Sequence, residues 1–327
     1  NAANKLNQLK EVKLVNIQHE FGIFGGEYGS HLLLLLKKLQ KPIVTTLHTV
    51  LPAPDEKMRN IVQAIMKYSK GIIVMTQSSR EILKKDYGLD PDRIQVIPHG
   101  IHHVPYRTSE RAKSALGISG HRLVRDSALR DQIIFSTFGF LSPNKGIEYA
   151  IEAMPKVVKK FPNVRFLIAG VTHPAVLEQE GETYRNFLTK KVHQLGLSNQ
   201  VSFYNTYFDV NKLLQFLEAT DVYLSTSLDP NQAVSGTLSY ALGSGRPVIS
   251  TAFAQAKQDI TSEVGILVDF KNPQAFTDAI IKLINNSELR AQMGKNAYFR
   301  TRHMTWENVA NSYMKYFSQF APELALG

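Results

Sequence analysis

Short apolar runs rich in β-branched residues alternate with longer amphipathic stretches along the whole chain. Most of these runs are continuous, which is typical of parallel strands buried on both faces. The first half has four predicted strands, at residues 12–17, 43–47, 72–76 and 94–97. The second half has six, at residues 133–137, 165–169, 201–204, 222–225, 247–250 and 265–268.

The stretches between the runs have helical spacing, and residues 147–160 are the clearest example. Ile147, Ile151, Met154 and Val157 fall on one apolar stripe there. Strands that alternate with helices through right-handed crossovers form a doubly wound α/β sheet, and the order along this chain predicts two such sheets.

We predict an N-terminal domain at residues 1–106, short at four strands, and a C-terminal domain at 131–305. Residues 107–130 are charged and lack a strong apolar period, so we interpret them as a linker. Residues 306–320 predict an amphipathic helix with Val309, Tyr313 and Phe317 on one side. We expect this helix to return to the N-terminal domain.

Composition narrows the class of protein. A chain of 327 residues is long enough for two domains with separate cores. The longest apolar run, at residues 32–36, is far too short to cross a bilayer, and the polar residues 1–10 do not resemble a secretory signal. The absence of cysteine excludes disulfides, thiolate zinc sites and a cysteine nucleophile. These features predict a cytoplasmic protein.

The net charge of +10 predicts an anionic partner, since a basic surface concentrates anions. The positive residues are scattered and no nucleic-acid module is recognisable, so we expect no nucleic-acid partner. A generally basic surface is the preferred interpretation. Peripheral contact with an anionic membrane through Lys37, Lys38 and Lys41 is the second.

Ligands of open α/β sheets bind beyond the carboxyl ends of the strands, so the residues after each strand are the candidates. The first such loop carries His19, Glu20, Gly25, Gly26 and Glu27. Paired glycines before a helix let backbone amides approach an oxyanion, although a tight turn would also need them. His19 and Glu20 have no packing reason to follow a buried strand directly, which favours a ligand role.

Two further histidines end predicted strands. His48 follows the second strand, where an imidazole can donate or accept a proton near neutral pH. His99 precedes Gly100 after the fourth strand and is expected to face a cleft between the domains. The alternatives are a structural histidine and a simple hinge, respectively.

The loop after the fifth strand predicts a phosphate site. Gly139, Ser142 and Lys145 lie between a strand and a helix, where the lysine ammonium would neutralise a diphosphate. An exposed loop lysine is the common alternative.

The loop at residues 229–247 is the strongest local feature. Ser235, Gly236 and Thr237 open a predicted helix that ends at Gly245, so their amides and hydroxyls could bind phosphate oxygens. A plain capped helix is the alternative, but it does not explain so many small residues in one turn.

Taken in order, these loops resemble glycosyltransferase family 4, which contains retaining GT-B enzymes that use nucleotide sugars. The resemblance covers roughly residues 12–317. The matching segments are 46–48, 96–100, 138–146, 166–170, 219–222 and 240–250. Each segment is modest alone, but their order and spacing together are fairly specific.

The chain departs from the family pattern at three positions. Phe140 replaces the usual Arg of the first C-domain loop, which leaves Lys145 alone of the usual cationic pair. Gln232 and Tyr240 replace the two carboxylates of the family's Glu-x₇-Glu motif. The family also begins with two more strands. Gly25 and Gly26 could replace the glycine-rich loop that follows them, or the chain could lack the start of this domain.

The resemblance implies a GT-B fold of two Rossmann-like domains and metal-independent, retaining hexosyl transfer. The donor would be a nucleoside-diphosphate sugar of the GDP-mannose or UDP-glucose type, and the acceptor a glycan, lipid or small molecule. No cofactor and no metal are expected. The implied catalytic residues are His48, Lys145 and Gln232. The donor site would comprise Gly139, Ser142, Lys145, Gly170, Gln232, Ser235, Gly236, Thr237 and Tyr240.

The implied acceptor or sugar contacts are His19, Glu20, Gly25, Gly26, Glu27 and His99. Three alternatives stay open at this point. One is a sugar-nucleotide-binding protein with weak or no catalysis, and another is a truncated transferase. The third is a GT-B relative with different chemistry, such as a glycoside phosphorylase or an epimerase.

Overall fold

A computed structural model describes residues 2–109, 112–113 and 132–324 of the chain. The chain divides into two compact units. The first contains Asn1–Ile101, Asn231–Ser235 and His303–Gly327, and the second contains His102–Pro230 and Gly236–Arg302. Most of the predicted linker at 107–130 lies outside the described residues.

The first unit is built on a four-stranded parallel sheet. Its strands are β1 (Val15–His19), β2 (Ile43–Leu47), β3 (Gly71–Val74) and β4 (Ile94–Val96), in the order β1-β2-β3-β4. Every residue of β2 and β3 is buried, as continuous apolar runs require. The helices of this unit are Ala2–Gln8, Leu32–Leu36, Glu56–Tyr68, Gln77–Tyr87 and Trp306–Phe317.

Capping side chains set where the longer helices of the first unit begin. Asp55 accepts a hydrogen bond from the amide of Met58, and Thr76 accepts one from the amide of Ser79. The second of these helices ends at Gly88, which adopts a left-handed conformation that glycine tolerates without strain.

The helix Trp306–Phe317 packs on the sheet of the first unit. Val309 and Tyr316 are buried in a cluster with Val44 of β2, Ile73 of β3 and Ile97, which directly follows β4. The Tyr316 hydroxyl donates to the carbonyl of Arg93 over 2.9 Å, so the polar end of a buried ring is also satisfied.

The second unit is built on a six-stranded parallel sheet. Its strands are β5 (Ile133–Phe138), β6 (Val164–Ala169), β7 (Val201–Tyr204), β8 (Val222–Ser225), β9 (Val248–Thr251) and β10 (Gly265–Val268). The spatial order is β10-β9-β8-β5-β6-β7. From β5 the chain adds β6 and then β7 on one side. It then crosses to the other side of β5 and adds β8, β9 and β10 there.

The helices of the second unit are Ile147–Lys160, Pro174–Glu180, Thr183–Gln194, Val210–Glu218, Gly236–Gly243, Ala254–Asp259, Pro273–Asn285 and Ser287–Arg300. The first of them confirms the helix predicted at 147–160. Its apolar stripe, including Ile151, Met154 and Val157, is buried in the main core against Phe135 and Phe166.

All ten predicted strands are present, but some of their bounds differ from the prediction. The strand predicted at 12–17 begins at Val15 and continues through Gln18 to His19. Polar residues there suggested a loop, whereas the backbone pairs with β2 as far as Leu47. Separately, none of the helices among the described residues is both long and apolar enough to traverse a bilayer.

Candidate functional site

The sheet of the second unit has a topological switch point between β5 and β8. The connections that leave these two strands run to opposite sides of the sheet. In such sheets the usual ligand position is a crevice outside the carboxyl ends of the strands at the switch point. The loops that follow β5 and β8 contain most of the residues predicted to bind a donor.

Gly139 and Gly170 bring the loops after β5 and β6 into close backbone contact. Both have positive φ, at 126° and 140°. The amide of Gly139 donates to the carbonyl of Ala169 over 3.0 Å, and the Gly139 carbonyl fills the space that a Cβ atom on Gly170 would need. Glycine is therefore required at 170 for packing as well as for backbone conformation.

Lys145 is partly buried beside the loop that follows β8. It ends the 3₁₀ turn Pro143–Lys145, and its carbonyl accepts a hydrogen bond from the Thr226 hydroxyl over 2.5 Å. Burial lowers the pKa of Lys145, and the nearby Asp229 carboxylate partly opposes this effect. The ammonium group is thus partly shielded from water, where an anion would interact with it more strongly than at an exposed site.

Ser142 contributes to the shape of this loop. It is buried, and its hydroxyl donates to the side-chain oxygen of Asn144. The helix that follows is capped by Gly146, which adopts a left-handed conformation.

The helix Gly236–Gly243 begins at the end of the β8 loop. A Cβ atom on Gly139 would lie 3.3 Å from the Thr237 methyl, so the β5 loop and this helix N-terminus adjoin. Tyr223, buried within β8, shares a side-chain hydrogen bond with Thr237. The structure therefore brings together Gly139, Gly170, Gly236 and Thr237. The helix ends at Gly243, two residues before the predicted end.

Of the other residues predicted to bind the donor, Gln232 and Ser235 precede this helix in the sequence and Tyr240 lies within it. Gln232 and Ser235 belong to the segment Asn231–Ser235, which groups with the first unit. The Gln232 amide donates to the Val234 carbonyl over 3.1 Å. Tyr240 lies one turn into the helix, with its ring 5.5 Å from that of His102.

Phe140 forms an exposed aromatic group where the resemblance leads one to expect arginine. Its ring lies 5.4 Å from His173 and 6.2 Å from Tyr207, which is 76% exposed. Each of these three residues lies in the loop after a different strand, and the strands β5, β6 and β7 are neighbours in the sheet. The region offers ring faces to a ligand in place of positive charge.

The first unit has its own cavity, of about 450 Å³, at the carboxyl edge of its sheet. Gln18, His48 and His99 supply polar groups, and the helix Trp306–Phe317 supplies a largely apolar wall. The lining residues are Gln18, His48, Met75, Pro98, His99, Gly100, Trp306, Val309, Ala310, Tyr313 and Met314. Small-molecule sites usually have this composition, in which a mostly apolar cavity carries a few polar groups.

His48 and His99 are held differently within this cavity. His48 Nε2 lies 2.7 Å from the side-chain oxygen of Gln18, whereas His99 Nδ1 lies 2.8 Å from the carbonyl of Gly100. Burial lowers the pKa of both imidazoles. Both rings are therefore expected to be neutral at pH 7, with hydrogen bonds that fix their orientation.

His19 is not a loop residue, which corrects the sequence prediction. It is the last residue of β1, its side chain is fully buried, and its ring packs against Phe21 and Phe24 at 5.2 and 6.0 Å. Neither ring nitrogen has a hydrogen-bond partner among the described residues. Burial lowers its pKa. A direct contact with a bound sugar would require this packing to open.

Glu20, in contrast, is partly exposed and well anchored. One carboxylate oxygen accepts from the Thr49 hydroxyl over 2.7 Å, and the other accepts from the amide of Phe21 over 3.0 Å. These two bonds hold a negative charge at the end of β1, beside the cavity residue His48.

The glycine pair does not open directly into a helix as predicted. A 3₁₀ turn, Glu27–Gly29, follows Gly25 and Gly26, and the next helix begins only at Leu32. The Gly25 carbonyl accepts from the amide of His31. Glu27 is exposed and forms an ion pair with Lys57. The glycine pair therefore does not lie at the N-terminus of a helix, and no helix dipole is available there to attract a phosphate.

Sequence reasoning missed Gln18 and Trp306. Gln18 was grouped with the loop although it lies inside β1 and contacts His48, and Trp306 was taken only as the start of a helix. Neither residue type in isolation signals a site. The described residues contain no group of three or more His, Asp or Glu side chains arranged to hold a metal.

Comparison with solved structures identifies the class of fold. HepE from Anabaena in a complex with UDP superimposes with a TM-score of 0.78 at 18% identity, over 97% of this chain and 81% of that one. Sucrose-phosphate synthase from Thermosynechococcus elongatus gives 0.74 at 19% identity, over 94% and 73%. The protein has the GT-B fold of two Rossmann-like α/β domains, as predicted.

Sequence comparison identifies the family. The family model described as glycosyl transferases group 1 matches residues 123–300, more than half of the chain, and the model described as glycosyltransferase family 4 matches residues 14–104. The chain therefore belongs to the group 1 glycosyltransferase family, which confirms the resemblance seen in its motifs.

Curated relatives agree with this assignment. The chain is 26% identical over 297 residues to D-inositol 3-phosphate glycosyltransferase of Corynebacterium efficiens, and 27% identical over 296 residues to the protein of the same name from Corynebacterium glutamicum. These alignments cover 85% and 84% of this chain. They cover 66% of each relative, so the chain spans just under two thirds of the length of these proteins.

Proposed function

We propose that this protein transfers a hexose from a nucleoside-diphosphate sugar to a hydroxyl-bearing acceptor, with retention of anomeric configuration and without a metal. The observation that carries the proposal is the topological switch point between β5 and β8 and the loops that follow these two strands. Lys145, the backbone of Gly139 and the helix N-terminus at Gly236 and Thr237 belong to the loops that follow these two strands.

The diphosphate of the donor is the group that these loops suit. A helix N-terminus carries partial positive charge and directs its first backbone amides outwards, and Lys145 adds a partly desolvated positive charge. These groups would stabilise the charge that develops on the leaving phosphate, which is electrostatic catalysis without a protein nucleophile. In front-face attack, the leaving phosphate oxygen would take the acceptor proton.

The acceptor would be bound by the first unit, where the cavity that His48 and Trp306 line offers both polar and apolar contacts. The relatives' name makes an inositol phosphate the first acceptor to assay. We retain Gln232 and Tyr240 as donor contacts and His48 as the contact to the transferred sugar.

A sugar-nucleotide-binding protein without transferase activity is the second candidate. Phe140, Gln232 and Tyr240 favour it, because each replaces a charged residue of the family pattern with an uncharged one.

We also propose peripheral contact with an anionic membrane. The short helix Leu32–Leu36 exposes Leu34, and the exposed Lys37 and Lys38 follow it directly, with the partly exposed Lys41 nearby. Exposed apolar and basic side chains side by side suit a surface of anionic lipid headgroups.

The decisive experiment incubates the protein with UDP- and GDP-hexoses, with and without inositol phosphate, and measures released nucleoside diphosphate. Acceptor-dependent release supports the transferase. A thermal shift with UDP or GDP but no release supports the binding protein instead, since a ligand of the folded state raises its stability. The anomeric configuration of the product, read by NMR, and turnover in EDTA test retention and metal independence.

A further inference from the structure

We infer that Gln18 is a positioning residue that holds the His48 imidazole in one tautomer, with its proton on Nε2 and with Nδ1 left to accept a hydrogen bond from a ligand hydroxyl. The inference deepens the proposed function. It rests on that function for the identity of the ligand, whereas the tautomer follows from the hydrogen bonds of Gln18 together with the neutrality of the ring.

The polar side chains at the ends of β1 and β2 form a series of hydrogen bonds, and the donor and acceptor of each bond can be deduced. Gln18 pairs with Thr46 in the parallel register, and the Gln18 amide nitrogen lies 3.5 Å from the Thr46 hydroxyl oxygen. Thr46 in turn donates its hydroxyl hydrogen to Asn16 Oδ1 over 3.3 Å, and its oxygen also lies 3.5 Å from the hydroxyl of Tyr313. A hydroxyl has a single hydrogen, so with that hydrogen on Asn16 the Thr46 oxygen accepts from both Tyr313 and Gln18.

This requirement orients the Gln18 amide. Its nitrogen faces Thr46, and its oxygen therefore faces His48, with Oε1 lying 2.7 Å from Nε2. An amide oxygen only accepts, so Nε2 must carry a proton. A neutral imidazole has one such proton, which leaves Nδ1 as an acceptor.

The electrostatics around His48 favour the neutral ring. Burial lowers its pKa and is the largest effect, while the Glu20 carboxylate at the end of β1 opposes it. The other titratable groups coupled to His48 are the imidazoles of His19 and His99. No partner of His48 Nδ1 is found among the described residues, and Nδ1 is not one of their buried unsatisfied atoms.

The cavity that His48 and Gln18 line indicates what Nδ1 would bind. Trp306 and Met314 of the C-terminal helix line it, and Gln18, His48 and His99 supply polar groups at or just beyond strand ends. A polyol or sugar matches this arrangement, because its hydroxyl hydrogens suit an acceptor nitrogen and its carbon face suits an aromatic ring. The ligand class is therefore a saccharide or cyclitol.

The experiment is long-range ¹H–¹⁵N NMR on the full chain labelled at histidine, with His48 assigned from the spectrum that His48→Gln loses. The expected wild-type spectrum gives protonated Nε2 and unprotonated Nδ1 at pH 7.5. In Gln18→Leu the two tautomers should become mixed. In Gln18→Glu the protonated Nε2 should persist, and the pKa of His48 should rise by about one pH unit or more beside the new carboxylate.

Gln95→Leu is the matched control, because Gln95 is an exposed glutamine near the end of a strand in the same sheet. It should leave the His48 signals unchanged. A wild-type ring protonated on Nδ1 would overturn the inference, as would an unchanged single tautomer in Gln18→Leu. If the tautomer results hold but no sugar nucleotide is turned over, the proposed function fails while the role of Gln18 stands.

Discussion

The carbonyl oxygen of Gly139 occupies the position that a Cβ atom on Gly170 would take. The two residues end adjacent strands of the second sheet, and their backbones are packed as closely as glycine allows. The backbone of the proposed diphosphate loop at Gly139 therefore packs directly against Gly170, which must have no side chain for this contact to form.

Gly170→Ala tests this contact. The alanine would meet backbone rather than a flexible side chain and would also strain a φ of 140°, so we expect at least about 3 kcal/mol of lost stability and no thermal shift with nucleoside diphosphates. Urea unfolding and differential scanning fluorimetry measure these effects. Gly196→Ala is the control. Its φ is also positive but its surroundings are open, so only a backbone cost of about 1 kcal/mol should appear.

Lys145→Ala should reduce transfer at least a hundredfold and change the melting temperature little, because the ammonium is proposed to act on the charge of the leaving phosphate. Nucleoside diphosphate release under saturating donor is the measurement. Lys145→Arg should retain part of the activity, and Lys295→Ala, at an exposed lysine of the same unit, should retain all of it. Full turnover by the alanine variant would remove Lys145 from the mechanism.

His19 should make the folded state sensitive to acid. Its folded-state pKa lies below the ordinary value of 6.5, so the unfolded chain takes up the proton first as the pH falls. The His19 contribution to stability is therefore complete above about pH 6.5 and declines below it, by at most about 1.4 kcal/mol per pH unit.

Urea unfolding of wild type and His19→Leu between pH 7.5 and 5 measures this decline. The variant should have a shallower pH dependence, whereas His303→Leu, at an exposed histidine, should follow the wild type. Equal slopes for wild type and His19→Leu would show that burial of His19 does not couple folding to protonation.

The charge-reversed double variant Lys37→Glu with Lys38→Glu should bind phosphatidylserine vesicles at least about thirtyfold more weakly than wild type, at about 1 kcal/mol per lysine. Vesicle sedimentation at low and high salt measures the loss. Lys84→Glu with Lys85→Glu changes the same charge at another exposed pair in the same unit. If both double variants lose binding equally, general basicity explains the contact and the proposed surface does not.

The sequence predicts the strand–helix alternation well, because continuous apolar runs and 3.6-residue stripes are local signals. It also locates the loops after β5 and β8, because glycines and small hydroxyl residues are concentrated directly after these two strands. The burial of His19 could not be predicted in this way. It depends on Phe21 and Phe24 folding back over the end of β1, which is a tertiary contact.

The role of Gln18 could not be predicted from the sequence either. An exposed glutamine at a strand end becomes informative only when the register sets it opposite Thr46 and beside His48. The same holds for the glycine pair, whose helix was expected immediately and begins six residues after Gly26, at Leu32. Register and loop path depend on residues distant in sequence, so a pattern within one segment cannot specify them.

Gly100 lies against the indole of Trp306, and a Cβ atom on Gly100 would overlap that ring. Trp306 is the chain's single tryptophan, and it lines the cavity of the first unit. Tryptophan fluorescence of the unmodified protein, excited beyond the tyrosine absorption band, consequently originates from one known place. A titrated saccharide that enters the cavity should alter this emission directly, so occupancy can be followed optically without a label or a coupled assay.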